Sequence, residues 1–289
     1  MDGLFDLDLT LRLLQLDFVR GALVAAALLG ILAGVLGPLI VSRNMAFAVH
    51  GTSELSFTGG AAALLLGWHV GTGAIVGAVL AALVLGLLAR RSADYDSVIG
   101  VVLAAGLGAG VLMLWLYKGR ASNKFGLLTG QIVSQDFASL ALLAGCVVGV
   151  LAVLAVIYRP LLFASVDPEV ARARGVPVKV LNPVFAVLVG IATALGVQTV
   201  GALLVLALMV TPAAAACRVT SSPLRATLLA VLFAELAAVG GIVLSLAPGV
   251  PISAFVTVIS LVIFLVCWVL GRVKVSGRAA VAAPRPAVR

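Results

Sequence analysis

The sequence predicts an all-α, polytopic membrane protein, a bundle of about nine transmembrane helices with about eight to ten as the bounds. Three observations predict it. Of the 289 residues, 63% are hydrophobic and 10% are charged, against a charged fraction of about 25% in soluble domains, and mean hydropathy is +1.26. The apolar residues fall into stretches near the ~20 that a spanning helix needs. Finally, many of the 31 glycines stand four apart, as in Gly30/Gly34, Gly73/Gly77, Gly106/Gly110 and Gly145/Gly149. That spacing lets helix backbones approach in lipid, so these pairs read as packing surfaces.

Cutting the chain at charged breaks gives spans near 18–41, 46–68, 70–89, 97–117, 137–158, 180–198, 200–217, 224–247 and 254–271. Residues 1–17 form an N-terminal segment, 18–271 a single transmembrane domain, and 272–289 a basic tail rich in Ala, Pro and Arg, expected to be disordered. Only Gln198-Thr199 separates the sixth span from the seventh. The stretch across both is roughly 35 residues, too long for one ordinary span. Thr211-Pro212 marks a kink within the seventh. The 118–136 connection carries Phe125, Leu127, Leu128, Ile132 and Val133, and either lies at the interface or re-enters the bundle.

Charge sets the orientation. With the carboxyl terminus cytoplasmic and the N-terminus outside, most of the 19 basic residues fall on the inner side: Arg43, Arg90, Arg91, Arg159, Arg172, Arg174, Lys179, Arg218, Arg225 and those of the tail. Arg12, Arg20, Lys118, Arg120 and Lys124 remain outside, as the positive-inside rule expects. The net charge of +8 is thereby explained without nucleic acid, for which no soluble basic groove is available. Asp2, Asp6 and Asp8 replace the basic region of a cleavable signal, leaving the first span as the insertion signal into the cell membrane. Cys146, Cys217 and Cys267 stand singly in apolar runs, as small core residues do.

The longest polar internal stretch, 159–179, reads as a loop holding a short helix with defined ends. Asp167 caps it, Pro168 suits its first position and Glu169 favours the positive end of the dipole. Gly175 followed by Pro177 stops it. Such an element is a docking site for a soluble partner or a simple surface helix.

Two carboxylates, Glu54 and Glu235, lie inside apolar spans. An ionisable group in hydrocarbon costs several kcal/mol unless it faces protein or a watery path, so both are candidate functional residues. His50 stands one helical turn before Glu54, on the same face. A rise of 1.5 Å per residue puts Glu54 about 12 Å and Glu235 about 16 Å from the inner surface, near the midplane at ~15 Å. One imidazole and two carboxylates without thiolate suit Zn²⁺ or Mn²⁺. Structural readings stand beside this one. His50 could donate to a carbonyl, Glu54 could pair with Arg43, and Glu235 could be a protonated packing group. His69 beside Trp68 reads as interfacial, and Gln198, Thr199 and Thr211 are polar enough to line a path, although Ser and Thr in membrane helices commonly satisfy their own backbone.

Tyr158-Arg159-Pro160-Leu161-Leu162, then Asp167-Pro168-Glu169 and Ala171-Arg172-Ala173-Arg174-Gly175-Val176-Pro177-Val178, resemble the ATPase-coupling region of the permeases of zinc/manganese-type ATP-binding-cassette importers. Met45-Ala46-Phe47, Asp96-Ser97-Val98-Ile99-Gly100-Val101 and the run from Val200 through Thr211-Pro212 to Ala216 agree with the same family in order and spacing. The resemblance covers about residues 18 to 271. It implies a transmembrane subunit acting as a homodimer or beside a sister permease, a separate cytoplasmic ATP-binding subunit, and an extracellular solute-binding protein that delivers the metal. Asp167, Glu169, Arg172 and Gly175 would then belong to the coupling loop. The family's second span carries an Asp and, four residues on, a His. Here His50 stands at the Asp position and Glu54 at the His position, an exchanged imidazole–carboxylate pair.

The resemblance therefore implies import of a divalent transition metal, zinc or manganese, by alternating access, with the ion as cargo and no resident cofactor. A permease for iron-siderophore or cobalamin-type cargo is the nearest alternative. The chain has no phosphate-binding loop, so ATP hydrolysis is expected in the partner and the chain is not itself an enzyme. An intramembrane hydrolase lacks its His-Glu-x-x-His pair, and a silent membrane scaffold would leave two buried carboxylates without a role.

Overall fold

The computed structural model describes residues 7–88, 95–119, 137–248 and 252–282. Among these the regular structure is helical throughout. In chain order the elements are α1 (Leu7–Leu13), α2 (Asp17–Ser42), α3 (Ala46–Leu66), α4 (Val70–Leu88), α5 (Tyr95–Leu116), α6 (Phe137–Val166), α7 (Pro168–Ala173), α8 (Val178–Val200), α9 (Ala202–Met209), α10 (Thr211–Val219), α11 (Pro223–Leu246) and α12 (Ile252–Ala282).

Among the described residues six helices are long and apolar enough to cross a membrane: α2, α8 and α11, with the apolar portions Ile99–Leu116, Ser139–Val166 and Ile252–Arg272 of α5, α6 and α12. The polar residues of α3 keep it out of that set although it runs for 21 residues. Parts of α4 and of the α9–α10 stretch are shorter apolar helices. The core lies where α2 and α8 meet. Leu29, Leu32, Leu36, Phe185, Val189, Leu195 and Leu208 are buried in one cluster there. Around it, α3 packs on α4, α5 and α8, α6 on α2 and α8, and α11 on α2, α10 and α12.

Two departures from the expected spans have local causes. The seventh span is not one helix. Gly201 adopts φ 92° and ψ 155°, backbone that essentially only glycine tolerates, and it separates α8 from α9. Pro212, in the first turn of α10, lacks the N–H that would continue α9, so the Thr211-Pro212 kink is a full interruption. Secondly, α6 runs on through Pro160 to Val166 instead of ending near 158. The last helix likewise continues to Ala282, into the stretch expected to be disordered. The proposed re-entrant segment lies mostly outside the described residues.

Three of the four glycine pairs sit at close helix crossings. A Cβ on Gly30 or Gly34 would run into α11, one on Gly73 or Gly77 into α3, and one on Gly106 or Gly110 into Leu55, Phe57 or Thr58 of α3. Gly145 and Gly149 differ: a Cβ there would meet nothing within 4 Å. Their side of α6 is open.

Candidate functional site

α3 is an apolar-length helix whose inner face is polar. Thr52, Ser53, Glu54 and Ser56 are all buried. Its hydroxyls are spent on backbone. Thr52 donates to the Ala48 carbonyl at 2.7 Å, Ser53 to that of His50 at 2.7 Å, and Ser56 to that of Ala74 on α4 at 3.1 Å. Thr58 Oγ1 lies 2.9 Å from the Glu54 backbone carbonyl and 2.6 Å from the Gly106 carbonyl of α5, to one of which it donates. These bonds neutralise the polarity that burial would otherwise penalise by about 1–3 kcal/mol per group. They also tie α3 to α4 and α5.

What they leave over is the ionisable pair. Glu54 is only 6% exposed, and the His50 imidazole one turn away lies within electrostatic reach of it. The His50 Nδ1 atom is buried with no hydrogen-bond partner, so the carbonyl bond considered from sequence is not made at that nitrogen. Phe47 meets the His50 ring edge-on, with centroids 6.5 Å apart. A buried imidazole nitrogen that makes no hydrogen bond, beside a carboxylate, can receive a cation through its lone pair when it is the unprotonated nitrogen of the ring.

Glu235 occupies a different wall. Its Oε1 is buried and unpartnered, in a notch that exists because Gly30 of α2 has no side chain. A Cβ on Gly30 would lie 2.6 Å from Oε1 and 2.9 Å from the carboxyl carbon. One turn along, Gly34 lies against the Val231 backbone and continues the seam. Among the described residues no group of three or more His, Cys, Asp or Glu side chains could hold a metal ion. His50 and Glu54 are thus brought together, and Glu235 stands apart from them in this conformation. Counting residues along a helix sets depth in the bilayer but not direction around the axis, which is decided by packing. α3 packs towards α4, α5 and α8 and α11 towards α2, while α9 touches α2, α3 and α11.

Arg43 was legible as an inner-side charge and as a candidate partner for Glu54. Its Nη1 donates to Ser165 Oγ at 3.1 Å, its Nη2 donates to Asn182 Oδ1, and its guanidinium lies 5.3 Å from the centroid of Phe185. It is therefore not the partner of Glu54. Burial lowers the Arg43 guanidinium from its ordinary range, yet an arginine stays charged in proteins.

The 159–179 loop has the ends its sequence requires. Asp167 Oδ1 accepts from the Glu169 and Val170 N–H groups, both at 3.0 Å. Pro168 opens α7, Arg172 lies in its last turn, and Gly175 at φ 83° turns the chain away. Ala171 is fully buried, packed with Ala164 and Val178, so α7 is seated on the flanking ends of α6 and α8. The other polar candidates are ordinary. Thr199 donates to the Leu195 carbonyl at 2.8 Å, with that of Gly196 at 3.2 Å, Gln198 donates to the Gly71 carbonyl, and Trp68 beside His69 is 69% exposed.

A bundle of membrane-length helices, a half-buried imidazole beside a buried carboxylate and a capped loop helix between two of the long helices are together the features of an integral membrane protein of the transporter-permease class. The chain belongs to the ABC 3 transport family, whose pattern it matches over residues 15–271. It is 30% identical to the manganese transport system membrane protein MntC of Halalkalibacterium halodurans over 254 residues, 88% of this chain and 87% of that one. It is 27% identical to the high-affinity zinc uptake system membrane protein ZnuB of Haemophilus influenzae, covering 83% and 95% of the two chains. Among solved structures it resembles PsaBC from Streptococcus pneumoniae in complex with Fab, with a TM-score of 0.81, 26% identity, and coverage of 90% of this chain and 94% of that chain.

Proposed function

We propose that this chain is the membrane-spanning subunit of an ATP-driven importer of a divalent transition metal, manganese or zinc. The observation that carries the proposal is the family match across nearly all of the helical bundle, with relatives named for manganese and for zinc. The chemistry of α3 supports it: one imidazole and one carboxylate, with no thiolate beside them, suit either ion and leave the choice to geometry and supply.

On this reading a cytoplasmic ATP-binding subunit docks on α7 through the surface around Asp167, Glu169, Arg172 and Gly175. An extracellular solute-binding protein loads the ion from the other side. Two copies, or one copy and a sister permease, complete the path. Counting α3, α4 and the interrupted α9–α10 pair with the six long helices gives about nine spans, N-terminus outside and carboxyl terminus inside. His50 and Glu54 receive the ion. Glu235 belongs to the same path from the opposite wall, or else is a protonated packing group in the Gly30 notch.

The test is uptake of radioactive manganese and zinc into proteoliposomes holding this chain with its ATP-binding subunit and binding protein. ATP-dependent accumulation of one metal by the wild type, lost in Glu54→Ala with the ATP-binding subunit still bound, is the expected result. No uptake of either metal by an assembled wild-type complex would sink the cargo assignment.

A further inference from the structure

The Arg43 side chain joins three elements that are far apart in sequence. Ser165 lies in the last turn of α6, just before the Asp167 cap of α7. Asn182 and Phe185 lie one turn apart on a single face of the start of α8, just after α7. One guanidinium therefore grips both legs of the loop that carries α7. The acceptor on the α6 side is oriented, because Ser165 Oγ spends its own proton on the Leu161 carbonyl at 2.7 Å and turns only lone pairs to Arg43. The contact on the α8 side is doubled by the Phe185 ring, on which a guanidinium stacks favourably.

The other end of Arg43 is held by a tight turn. Its N–H donates to the Leu39 carbonyl at 3.1 Å, the Asn44 N–H to Val41 at 3.1 Å, and the Met45 N–H to Ile40 at 2.9 Å. Asn44 sits in the left-handed region at φ 54°, which asparagine tolerates better than most residues. α3 begins at Ala46, and His50 follows about one turn later. No carboxylate neutralises Arg43 among the described residues, so its hydrogen bonds and the ring are what hold the charge. Removing it breaks three contacts at once.

From this connectivity we infer that Arg43 is a positioning residue that carries movement of the α6–α7–α8 loop to the helix bearing His50 and Glu54. The inference rests on the importer reading for what the movement does, but the link itself can be measured without any metal. A lysine would keep the charge and lose the planar fork that reaches Ser165 and Asn182 together.

The experiment uses the complex of the full chain with its ATP-binding subunit in proteoliposomes. Cys146, Cys217 and Cys267 are replaced by alanine, and Phe47→Cys, in the first turn of α3, is the reporter for a maleimide. With Arg43 present, trapping with ATP and vanadate changes the labelling rate by about fivefold or more. In Arg43→Ala and Arg43→Lys that nucleotide-dependent change is expected to fall below about twofold, while the ATP-binding subunit still co-purifies and hydrolyses ATP. Asn182→Ala combined with Ser165→Ala, which leaves Arg43 in place, provides the same reading if the Arg43 variants do not assemble. A full nucleotide-dependent change in assembled Arg43→Ala, or in the double variant, overturns the inference. Metal uptake scored on parallel vesicles that keep Phe47 keeps the two proposals separate. A wild type silent towards manganese and zinc, but with a nucleotide-dependent change that Arg43→Ala abolishes, would overturn the cargo reading and uphold the link.

Discussion

α3 and α11 each carry one carboxylate at mid-helix, and they accommodate it in opposite ways. On α3 the acid is flanked in sequence by hydroxyl residues, every one donating to a backbone carbonyl, and it has an imidazole one turn away. On α11 the helix around Glu235 is Ala, Val, Leu and Phe, and space for the acid is provided by a glycine on another helix. A charge embedded in a polar helix is prepared for a cation by its own local sequence. One embedded in an apolar helix depends on the seam beside it, so its properties change whenever that seam moves.

The largest expected effect separates the two acids. If Glu54 receives the ion as proposed, Glu54→Ala should lower metal uptake by about 100-fold or more, since loss of a direct ligand exceeds the effect of removing its supports. Glu235→Gln keeps the shape that fills the notch and removes the charge. If Glu235 is only a packing group, that variant should transport like the wild type in the proteoliposome assay. A loss matching that of Glu54→Ala would place both acids on the ion path and erase the difference between α3 and α11.

The next effect falls on the seam. Gly30→Leu drives carbon into the position of the Glu235 carboxyl, and overpacking of that kind costs about 1–3 kcal/mol. A lowered thermal midpoint of the detergent-solubilised complex, with α3 unaffected as judged by labelling at Phe47→Cys, is the expected outcome. An unchanged midpoint would mean that Glu235 can swing out of the notch freely, and that the seam does not hold it.

Much of this was legible in the sequence, and the remainder was hidden for identifiable reasons. The ends of α7 were readable because Asp167, Pro168 and Gly175 act within a few residues of themselves. Most spans were readable because length and hydropathy are also local. The separation of Glu235 from the His50–Glu54 pair was not, since it depends on which way each helix faces. The break at Gly201 was hidden because a glycine in an apolar run reads equally as packing or as a turn. Arg43 was visible as a charge at a span end, but Ser165 and Asn182, its partners, are more than a hundred residues away. Their convergence is a property of the bundle.

Coupling offers a smaller, directional test. α7 rests on α6 and α8, and α8 in turn packs on α3, so loosening α7 should be felt at α3 before α11. Asp167→Ala removes the acceptor for two N–H groups, a loss of about 1 kcal/mol of helix stability, and Asp167→Asn should restore it. The nucleotide-dependent labelling of Phe47→Cys is expected to weaken in the alanine variant and recover in the asparagine one. A cysteine at Leu232 on the exposed side of α11 should be indifferent to both. Equal responses at the two reporters would show that the bundle moves as one body.

The smallest effect comes from one substitution made at two places. Gly34→Ala puts a methyl group against the Val231 backbone of α11, where only a shift of the helices makes room. Gly145→Ala on α6 puts the same methyl group where nothing lies within 4 Å. Alanine is favoured over glycine in a helix interior by up to about 1 kcal/mol. The first should therefore lower the thermal midpoint and the second leave it unchanged or raise it slightly. The spacing motif is identical at both sites, so opposite signs would locate the meaning of these glycines in the neighbour that each one faces. If Gly145→Ala instead destabilised the complex, the open side of α6 would be a contact with another subunit, and the Gly30–Gly34 seam would no longer be the special surface that Glu235 needs.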